Sequence, residues 1–291
     1  MTLPIQKTIL VTGSSGQLGM ELQRIAPHFT GFRFLFTQRD TLPIENFNLV
    51  KSYFEDQQID TCINCAAYTA VDKAESEKDL AFVINGDAVG YLAKLCKAHQ
   101  AQFIHISTDY VFDGTSDIAY SEDDSIAPVN AYGASKLKGE ELAFNNNPSS
   151  IILRTSWLYS SFGNNFVKTM LRLMKERTNI NVVSDQFGCP TYAHDLANVI
   201  MKIVCTDINT QGLFNYSNSG VTTWYEFAMA IKAFTNSKCE IRPIETIEYP
   251  TPAKRPKFSV LDTSKITAHL HLQIPNWKDS LNNCLELLHA V

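Results

Sequence analysis

Short apolar runs alternate with longer helical stretches along the first half of the chain. The apolar runs are TILVT (8–12), FRFLF (32–36), TCINCAA (61–67), QFIHIST (102–108) and SIILRTS (150–156). Helices are predicted between them, at 17–26, 46–57 and 80–99 and around the AYGASKLKGE segment. Nearly continuous apolar strands separated by helices are typical of a parallel sheet buried on both faces. The pattern therefore predicts an α/β, doubly wound fold.

The pattern loosens after residue 156. Helices predicted at 165–176, 193–204 and 224–234 alternate with strands predicted at 180–184 and 212–216, and a proline-rich stretch, RPIETIEYPTPAKRPKF, follows. We expect one core domain over residues 1–156, to which residues 180–216 add elements. Residues 157–291 are expected to form mainly a smaller C-terminal region that binds a substrate.

Composition and charge narrow the class of protein. The 291 residues are 45% hydrophobic and 19% charged, as in globular proteins, and a net charge of −5 with a pI near 5.8 argues against nucleic-acid binding. No apolar run approaches the roughly 20 residues that cross a bilayer, so no membrane partner is expected. The N-terminal MTLPIQKTILVTG lacks the features of a secretory signal. We therefore expect a cytoplasmic protein.

Seven cysteines are scattered along the chain, an odd number that suits reduced thiols. Cys62 and Cys65 form a C-x-x-C motif, which is found in redox sites and metal half-sites. Residues three apart on a strand point to opposite faces, however, and no second cysteine pair completes a site. Packing is the favoured interpretation, and His269 and His271 are likewise expected not to be metal ligands.

Glycines at 13, 16 and 19 lie in TGSSGQLG, between the first predicted strand and the first predicted helix. Glycine permits a tight turn and lets the backbone N–H groups at a helix N-terminus approach a pyrophosphate. The spacing is G-x-x-G-x-x-G rather than G-x-G-x-x-G, but the strand, turn and helix context supports the motif. It predicts dinucleotide binding by a Rossmann-type domain over residues 1–156.

The second predicted strand ends in FLFTQRD, where NAD-selective proteins usually carry a carboxylate for the ribose hydroxyls. This chain instead has Thr37, Gln38 and Arg39, and an arginine there can bind a 2′-phosphate. NADPH is the expected cofactor. Asp40 is close enough in the sequence to keep NADH as an alternative cofactor.

Tyr132 and Lys136 are four residues apart in VNAYGASKLKGE, so a helix would place them on one face. Thr108 ends a predicted strand, where ligands bind in open α/β sheets. These groups can hold a carbonyl and protonate it. Lowering a tyrosine pKa from about 10 to near 7 takes roughly 4 kcal/mol. A charge about 4 Å away at an effective dielectric near 20 supplies a similar amount, so we expect Lys136 to make Tyr132 a stronger acid.

Together these motifs resemble the extended short-chain dehydrogenase/reductases. The segments that carry the resemblance are the glycine turn, NCAAYTAVDKAE (64–75), Asn85, STDYVFDG and Y-x-x-x-K. Four later segments are similar to the dTDP-4-dehydrorhamnose reductase subfamily in order and spacing: RTSWLYSSFGNNFVKTMLRL (154–173), DQFGCPTYAHDLA (185–197), TTWYEFA (222–228) and YPTPAKRPKFSVLDTSK (249–265). The resemblance spans nearly the whole chain and implies reduction of the C4 keto group of dTDP-4-dehydro-6-deoxy-L-mannose to dTDP-L-rhamnose, with hydride from NAD(P)H.

The resemblance also implies roles for individual residues. Thr108 would bind the sugar carbonyl, Tyr132 would give the proton, and Lys136 would hold the nicotinamide ribose. The residues implied to bind the cofactor, besides Tyr132 and Lys136, are Gly13, Ser15, Gly16, Gln17, Leu18, Thr37, Arg39, Ala66, Ala67 and Tyr68. The residues implied to bind the dTDP-sugar, besides Thr108, are Val71, Asp72, Trp157, Asn165, Gln186, Thr191 and Arg255.

The resemblance also bears on a metal ion and a partner subunit. In some relatives carboxylates at a dimer interface hold magnesium, and Glu21 matches one of these positions while His194 replaces another carboxylate. We assign no metal, and a homodimer stays possible. Trp157 also has an alternative interpretation as a core residue, and Arg255 as a solvated charge.

Two other functions fit the resemblance. One is a non-catalytic regulatory subunit that keeps the fold and the NADP site, against which the intact Thr108, Tyr132 and Lys136 count. The other is a nucleotide-sugar epimerase or dehydratase, for which Asp109 would supply an acid, although the RTSWLY and PTPAKRP segments favour the reductase.

Overall fold

The computed structural model describes residues 6–206 and 208–289. Residues 1–5, 207 and 290–291 lie outside this description. They include the ends of the predicted ranges 1–156 and 157–291 and the start of the N-terminal segment considered above.

Six parallel strands form the central sheet, in the order β10-β5-β4-β3-β1-β2. Their bounds are β1 Lys7–Thr12, β2 Phe32–Phe36, β3 Thr61–Asn64, β4 Gln102–Thr108, β5 Ile151–Thr155 and β10 Gly212–Asn215. The remaining strands are β6 Leu158–Tyr159, β7 Asn179–Val183, β8 Phe187–Gly188, β9 Thr191–Tyr192, β11 Thr222–Thr223 and β12 Glu240–Ile244. The strand order reverses between β1 and β3, because β2 lies on one side of β1 and β3 to β5 follow on the other, which is the arrangement of a doubly wound fold.

Helices cover both faces of the sheet. They are α1 Gln17–Ile25, α2 Phe47–Asp56, α3 Lys78–Phe82, α4 Ala88–Ala98, α5 Ala131–Asn146, α6 Phe166–Glu176, α7 Ala193–Cys205, α8 Trp224–Thr235, α9 Ser264–Leu270 and α10 Trp277–His289. Successive residues of β1 point to opposite faces. Accordingly Ile9 and Val11 pack with α1 and α7, whereas Leu10 packs with α2 and α4. The predicted doubly wound α/β fold is confirmed.

The segment predicted as one helix at 80–99 is interrupted. Helices α3 and α4 are joined by a π-helical turn, Val83–Asp87. Within this turn the Asn85 side chain accepts a hydrogen bond from the Tyr68 N–H at 2.8 Å and donates one to the Tyr68 carbonyl at 3.0 Å. The wider turn thus ties the helix to the loop that follows β3, and π-turns are frequent at functional sites.

A second apolar core lies in the C-terminal region. It joins α6, α8 and α10 through Met170, Phe227 and Leu281, which are buried together. Strands β7 and β12 pair in parallel beside it, outside the central sheet. By contrast β10 and α7 belong to the main sheet and its helical layer. The division of the chain near residue 156 stays a prediction. Of the helices described, none has the length and apolar character needed to cross a membrane.

Candidate active site

A cleft of about 820 Å³ lies at the carboxyl ends of β1, β3 and β4. This is where ligands bind in open α/β sheets. The predicted site residues that line it are Gly13, Ser15, Gly16, Gln17, Leu18, Arg39, Ala66, Ala67, Tyr68, Val71, Thr108, Tyr132, Lys136 and Trp157. Six others do not line it: Thr37, Asp72, Asn165, Gln186, Thr191 and Arg255. The cofactor and catalytic residues predicted from the sequence are therefore largely gathered in one place.

The glycine turn has almost no room for side chains. Gly13 adopts a φ of +63°, and a Cβ there would lie 2.5 Å from the Ala66 nitrogen. A Cβ at Gly19 would lie 2.5 Å from the Ser14 Cα. Gly16 caps α1 without a side-chain acceptor, so N–H groups at that helix end remain free for an anion. The turn has the shape and the donors that a pyrophosphate needs.

Arg39 lies at the end of the cleft next to β2. Its side chain is 72% exposed and its guanidinium is 3.5 Å from Glu45. Thr37 is buried instead, with its hydroxyl donating to the Val11 carbonyl at 3.4 Å. Asp40, the carboxylate that kept NADH open, accepts from Gln38 at 3.3 Å and is absent from the residues that line the cleft. The loosely held Arg39 therefore faces the space beside the turn together with its partner Glu45, which also lines the cleft.

Tyr132 and Lys136 lie in the first two turns of α5, as predicted. Asn130 caps this helix by accepting from the Gly133 N–H at 2.8 Å. Gly133 also lets the helix lie against the loop after β4, because a Cβ there would collide with the Tyr110 carbonyl oxygen. The close approach brings both side chains to the same cleft as Thr108.

The electrostatics of this pair differ from the sequence-based expectation. Burial raises the pKa of Tyr132 to about 12, and the neighbouring Thr108 hydroxyl opposes the rise only in part. The Lys136 ammonium, which donates to the Ile106 carbonyl at 2.6 Å, does not offset this rise. Burial also lowers the pKa of Lys136 to about 8. Tyr132 thus keeps its proton at neutral pH, as a proton donor must.

A polar chain below Lys136 was missed from the sequence. The Lys136 nitrogen lies 3.3 Å from His105 Nε2, and His105 Nδ1 lies 3.0 Å from the Asn64 amide nitrogen. The Asn64 carbonyl oxygen accepts from the Thr12 hydroxyl at 2.6 Å and from the Ala66 N–H at 3.2 Å. The chain joins β1, β3 and β4 beneath the cleft. Its only signal in the sequence is that apolar strands end in polar residues.

A buried ion pair holds α5 against β5. Arg154 donates to Glu140 through Nε at 3.0 Å and through a terminal nitrogen at 2.7 Å. Ser107 also donates to Glu140, at 2.5 Å, and all three side chains are buried. Because Glu140 lies one turn beyond Lys136 on α5, this pair fixes the helix that carries the catalytic candidates.

Two tryptophan rings form one wall of the cleft. Trp157 and Trp224 stack with ring centroids 3.6 Å apart and planes 9° from parallel, and both line the cleft. Trp157 has a φ of +46°, which is unusual for a bulky residue and marks a functional candidate. Gly188 lies flat against it, since a Cβ there would be 2.5 Å from Trp157 Cε2. Trp224 was not predicted as a site residue. It is the first residue of α8 and directly follows the Thr223 helix cap.

The other predicted substrate residues are engaged by the protein itself. Asn165 caps α6 and donates to Gln17 Oε1 at 2.9 Å, so it touches a residue of the cleft. Gln186 donates to Thr246 at 3.0 Å, and Thr191 accepts from Thr155 at 3.1 Å. Their side chains lie in the layer around the cleft rather than on its surface.

Arg255 and Asp72 form a two-pronged ion pair with distances of 2.6 and 2.8 Å. The Ala253 N–H also donates to Asp72, at 3.2 Å. The hydrogen bond from Arg255 lowers the pKa of Asp72. The guanidinium that the resemblance implies for the dTDP-sugar is thus held by a carboxylate, and the pair joins the loop after β3 to the C-terminal proline-rich segment.

Glu21 is buried and contacts Arg24 at 2.7 Å, Ser160 at 2.6 Å and His194 at 3.5 Å. The described residues contain no group of three or more His, Cys, Asp or Glu side chains arranged to hold a metal ion. Cys62 and Cys65 are free thiols, the first of them buried.

Comparisons with known proteins cover almost the whole chain. The family described as RmlD substrate binding domain matches residues 7–290. A dTDP-4-dehydrorhamnose reductase of Aggregatibacter actinomycetemcomitans is 40% identical over 285 residues, 94% of this chain and 97% of the relative. A crystal structure of a dTDP-4-dehydrorhamnose reductase from Clostridium acetobutylicum superposes with a TM-score of 0.92 at 40% identity, covering 97% of this chain and 99% of that one. One from Bacillus anthracis, in complex with NADP, gives 0.93 at 39% identity, covering 97% and 100%.

Proposed function

The chain belongs to the RmlD family of dTDP-4-dehydrorhamnose reductases, and from this we propose that it reduces the C4 keto group of dTDP-4-dehydro-6-deoxy-L-mannose to give dTDP-L-rhamnose. The observation that carries the proposal is the convergence of Thr108, Tyr132 and Lys136 in one cleft with the glycine turn. Purified protein given this sugar nucleotide should consume NADPH in proportion to the substrate added. Absence of any NADPH oxidation would refute the activity.

NADPH supplies the hydride. The N-terminus of α1 and the turn at Gly13 fit its pyrophosphate, because free N–H groups and lack of side chains coincide there. Ala66, Ala67 and Tyr68 would flank its middle, where Asn85 fixes the Tyr68 backbone. Lys136 lines the same cleft, and its ammonium would donate to the nicotinamide ribose. The bound NADP of the Bacillus anthracis structure supports this choice of cofactor.

Two side chains would act on the keto oxygen, and a third would support them. Thr108 and Tyr132 would donate hydrogen bonds to it, which orients the carbonyl and stabilises the charge that develops on oxygen. Tyr132 would then transfer its phenolic proton to that oxygen. A nearby ammonium at Lys136 stabilises the resulting tyrosinate. Because burial lowers the pKa of Lys136 to about 8, this support is present below that pH and is lost above it.

Arg39 is proposed to select NADPH over NADH. Replacing it in an Arg39→Ala enzyme removes the cation next to the 2′-phosphate, a charge-assisted contact worth about 1.5 to 3 kcal/mol. We therefore expect the Kd for NADPH to rise about tenfold or more while that for NADH changes little, as measured by cofactor fluorescence titration. Arg172→Ala, on an exposed helix face, is the matched control. Equal losses for both cofactors would refute the assignment.

The Trp157 and Trp224 wall is proposed to border the nucleotide-sugar site. A Gly188→Ala enzyme should raise the KM for the sugar nucleotide severalfold, because the new methyl group must displace the Trp157 ring. The Kd for NADPH should stay unchanged, since Gly188 itself does not line the cleft. Gly31→Ala is the control, as a Cβ there meets nothing within 4 Å. An unchanged KM would show that the wall formed by Trp157 and Trp224 does not border the substrate site.

The alternative functions have less support. A regulatory subunit has no need to keep a hydroxyl, a phenol and an ammonium on one cleft, and the reductases named above match along nearly the full chain. We further propose cytoplasmic action, consistent with seven free cysteines, and no nucleic-acid partner, consistent with the negative net charge. The homodimer stays a prediction.

A further inference from the structure

Asp109 is a buried acid directly beside a proposed catalytic hydroxyl. It follows Thr108 at the end of β4, lines the cleft and is only 2% exposed. Its Oδ1 accepts the Thr108 hydroxyl proton at 2.9 Å. Its Oδ2 is buried without a hydrogen-bond partner among the described residues. The carboxyl thus has one oxygen engaged by Thr108 and one with no donor to satisfy a negative charge.

Thr108 has a single proton to give. Its oxygen already accepts the Tyr110 N–H at 3.2 Å, and its proton points to Asp109. A hydroxyl that donates to a carboxylate cannot donate at the same time to a keto oxygen. The geometry therefore conflicts with the role proposed for Thr108 whenever Asp109 is charged.

The surroundings of Asp109 favour its neutral form. Burial raises the pKa of Asp109 to about 7, and the hydrogen bond from Thr108 opposes this only in part. The titratable groups that face it are Tyr110, Tyr132 and Cys189, whose pKa values burial raises, so they are neutral near pH 7. No salt bridge to Asp109 occurs in the part of the chain that the structure describes.

We propose that Asp109 is a positioning residue whose own proton sets the direction in which the Thr108 hydroxyl points. As a neutral acid, Asp109 donates to the Thr108 oxygen, which frees the Thr108 proton for the sugar carbonyl or for the Tyr132 oxygen. As a carboxylate, Asp109 draws that proton away from the substrate. This inference rests on the proposed reductase activity and adds to it a control by pH that acts through Thr108.

The sign of the pH dependence follows directly. The active form carries the proton on Asp109, so kcat/KM should fall as the pH rises through about 7. Lys136 gives a separate fall near pH 8. In an Asp109→Asn enzyme the amide can only remain neutral, so the fall near 7 should disappear and the one near 8 should remain.

The test is the profile of kcat/KM against pH, from about pH 5.5 to about pH 9, for the wild type, Asp109→Asn and, as a control, Asp113→Asn. Asp113 lies on the same loop but bonds Thr115 and Tyr120. We expect the wild-type and Asp113→Asn midpoints to agree. An Asp109→Asn profile with the wild-type midpoint would overturn the inference, whereas a wild type without turnover would count against the reductase itself.

A spectroscopic measurement needs no turnover and keeps the inference falsifiable if Asp109→Asn folds poorly. Infrared difference spectra of the wild-type protein between about pH 6 and about pH 8 should show a buried protonated carboxyl that loses its proton. A wild-type protein without any protonated carboxyl signal in this range would overturn the proposal.

Discussion

A Tyr132→Phe enzyme is expected to turn over the sugar nucleotide about a hundred to ten thousand times more slowly than the wild type, the range that a general acid contributes. The Tyr132 phenol lines the cleft and holds its proton at neutral pH, because burial keeps its pKa at about 12. It can therefore give that proton to the keto oxygen. Removing only the hydroxyl leaves the ring and its packing in place. The affinity for NADPH should therefore change little.

The measurement is kcat at saturating NADPH, together with the Kd for NADPH from fluorescence titration. Tyr91→Phe is the matched control, since Tyr91 packs on Phe47, away from the cleft. It should retain wild-type turnover. Near-normal turnover in Tyr132→Phe would contradict the acid role, and a large loss of NADPH affinity would show that the phenol serves binding instead.

Arg154→Met is expected to cost about 3 to 5 kcal/mol of unfolding free energy, the typical effect of leaving a buried charge without its partner. Glu140 would keep only the Ser107 hydroxyl as a hydrogen-bond donor in a region closed to water. The lost guanidinium also lies 5.1 Å from the Phe112 ring centre, so some packing is lost with it. Urea unfolding, followed by circular dichroism, measures the change.

Arg172→Met provides the comparison for Arg154. Arg172 pairs with Glu176 at the same distance of 2.7 Å, but both side chains are more than half exposed, so its removal should cost about 0.5 kcal/mol or less. An Arg154→Met, Glu140→Leu double variant should regain part of the lost stability, because no unpaired charge remains. Similar small effects at positions 154 and 172 would refute the structural role of the buried pair.

The sequence was informative where the chemistry is local. The glycine turn and the Tyr132 and Lys136 pair depend on spacings of a few residues within one turn or helix, and the structure places both at the cleft. The parallel sheet followed from apolar runs that only burial on both faces explains. These features need no knowledge of which distant segments meet.

The sequence was less informative where distant residues pair. Arg255 and Asp72 are 183 positions apart, and nothing near either residue indicates that they neutralise each other. The stacking of Trp157 on Trp224 likewise depends on the C-terminal region folding back over the sheet. The pKa of Tyr132 was misjudged because a charge four residues away was counted while the cost of burying the phenol was not.

The central claim is most directly tested by following a deuterium atom. The purified protein would be given dTDP-4-dehydro-6-deoxy-L-mannose and NADPH that carries deuterium in both hydrogen positions of nicotinamide C4, and the product would be analysed by mass spectrometry and NMR. The account predicts dTDP-L-rhamnose with one deuterium at sugar C4 for each NADPH oxidised. A recovered sugar nucleotide that is unreduced, or that is altered without deuterium at C4, would contradict it.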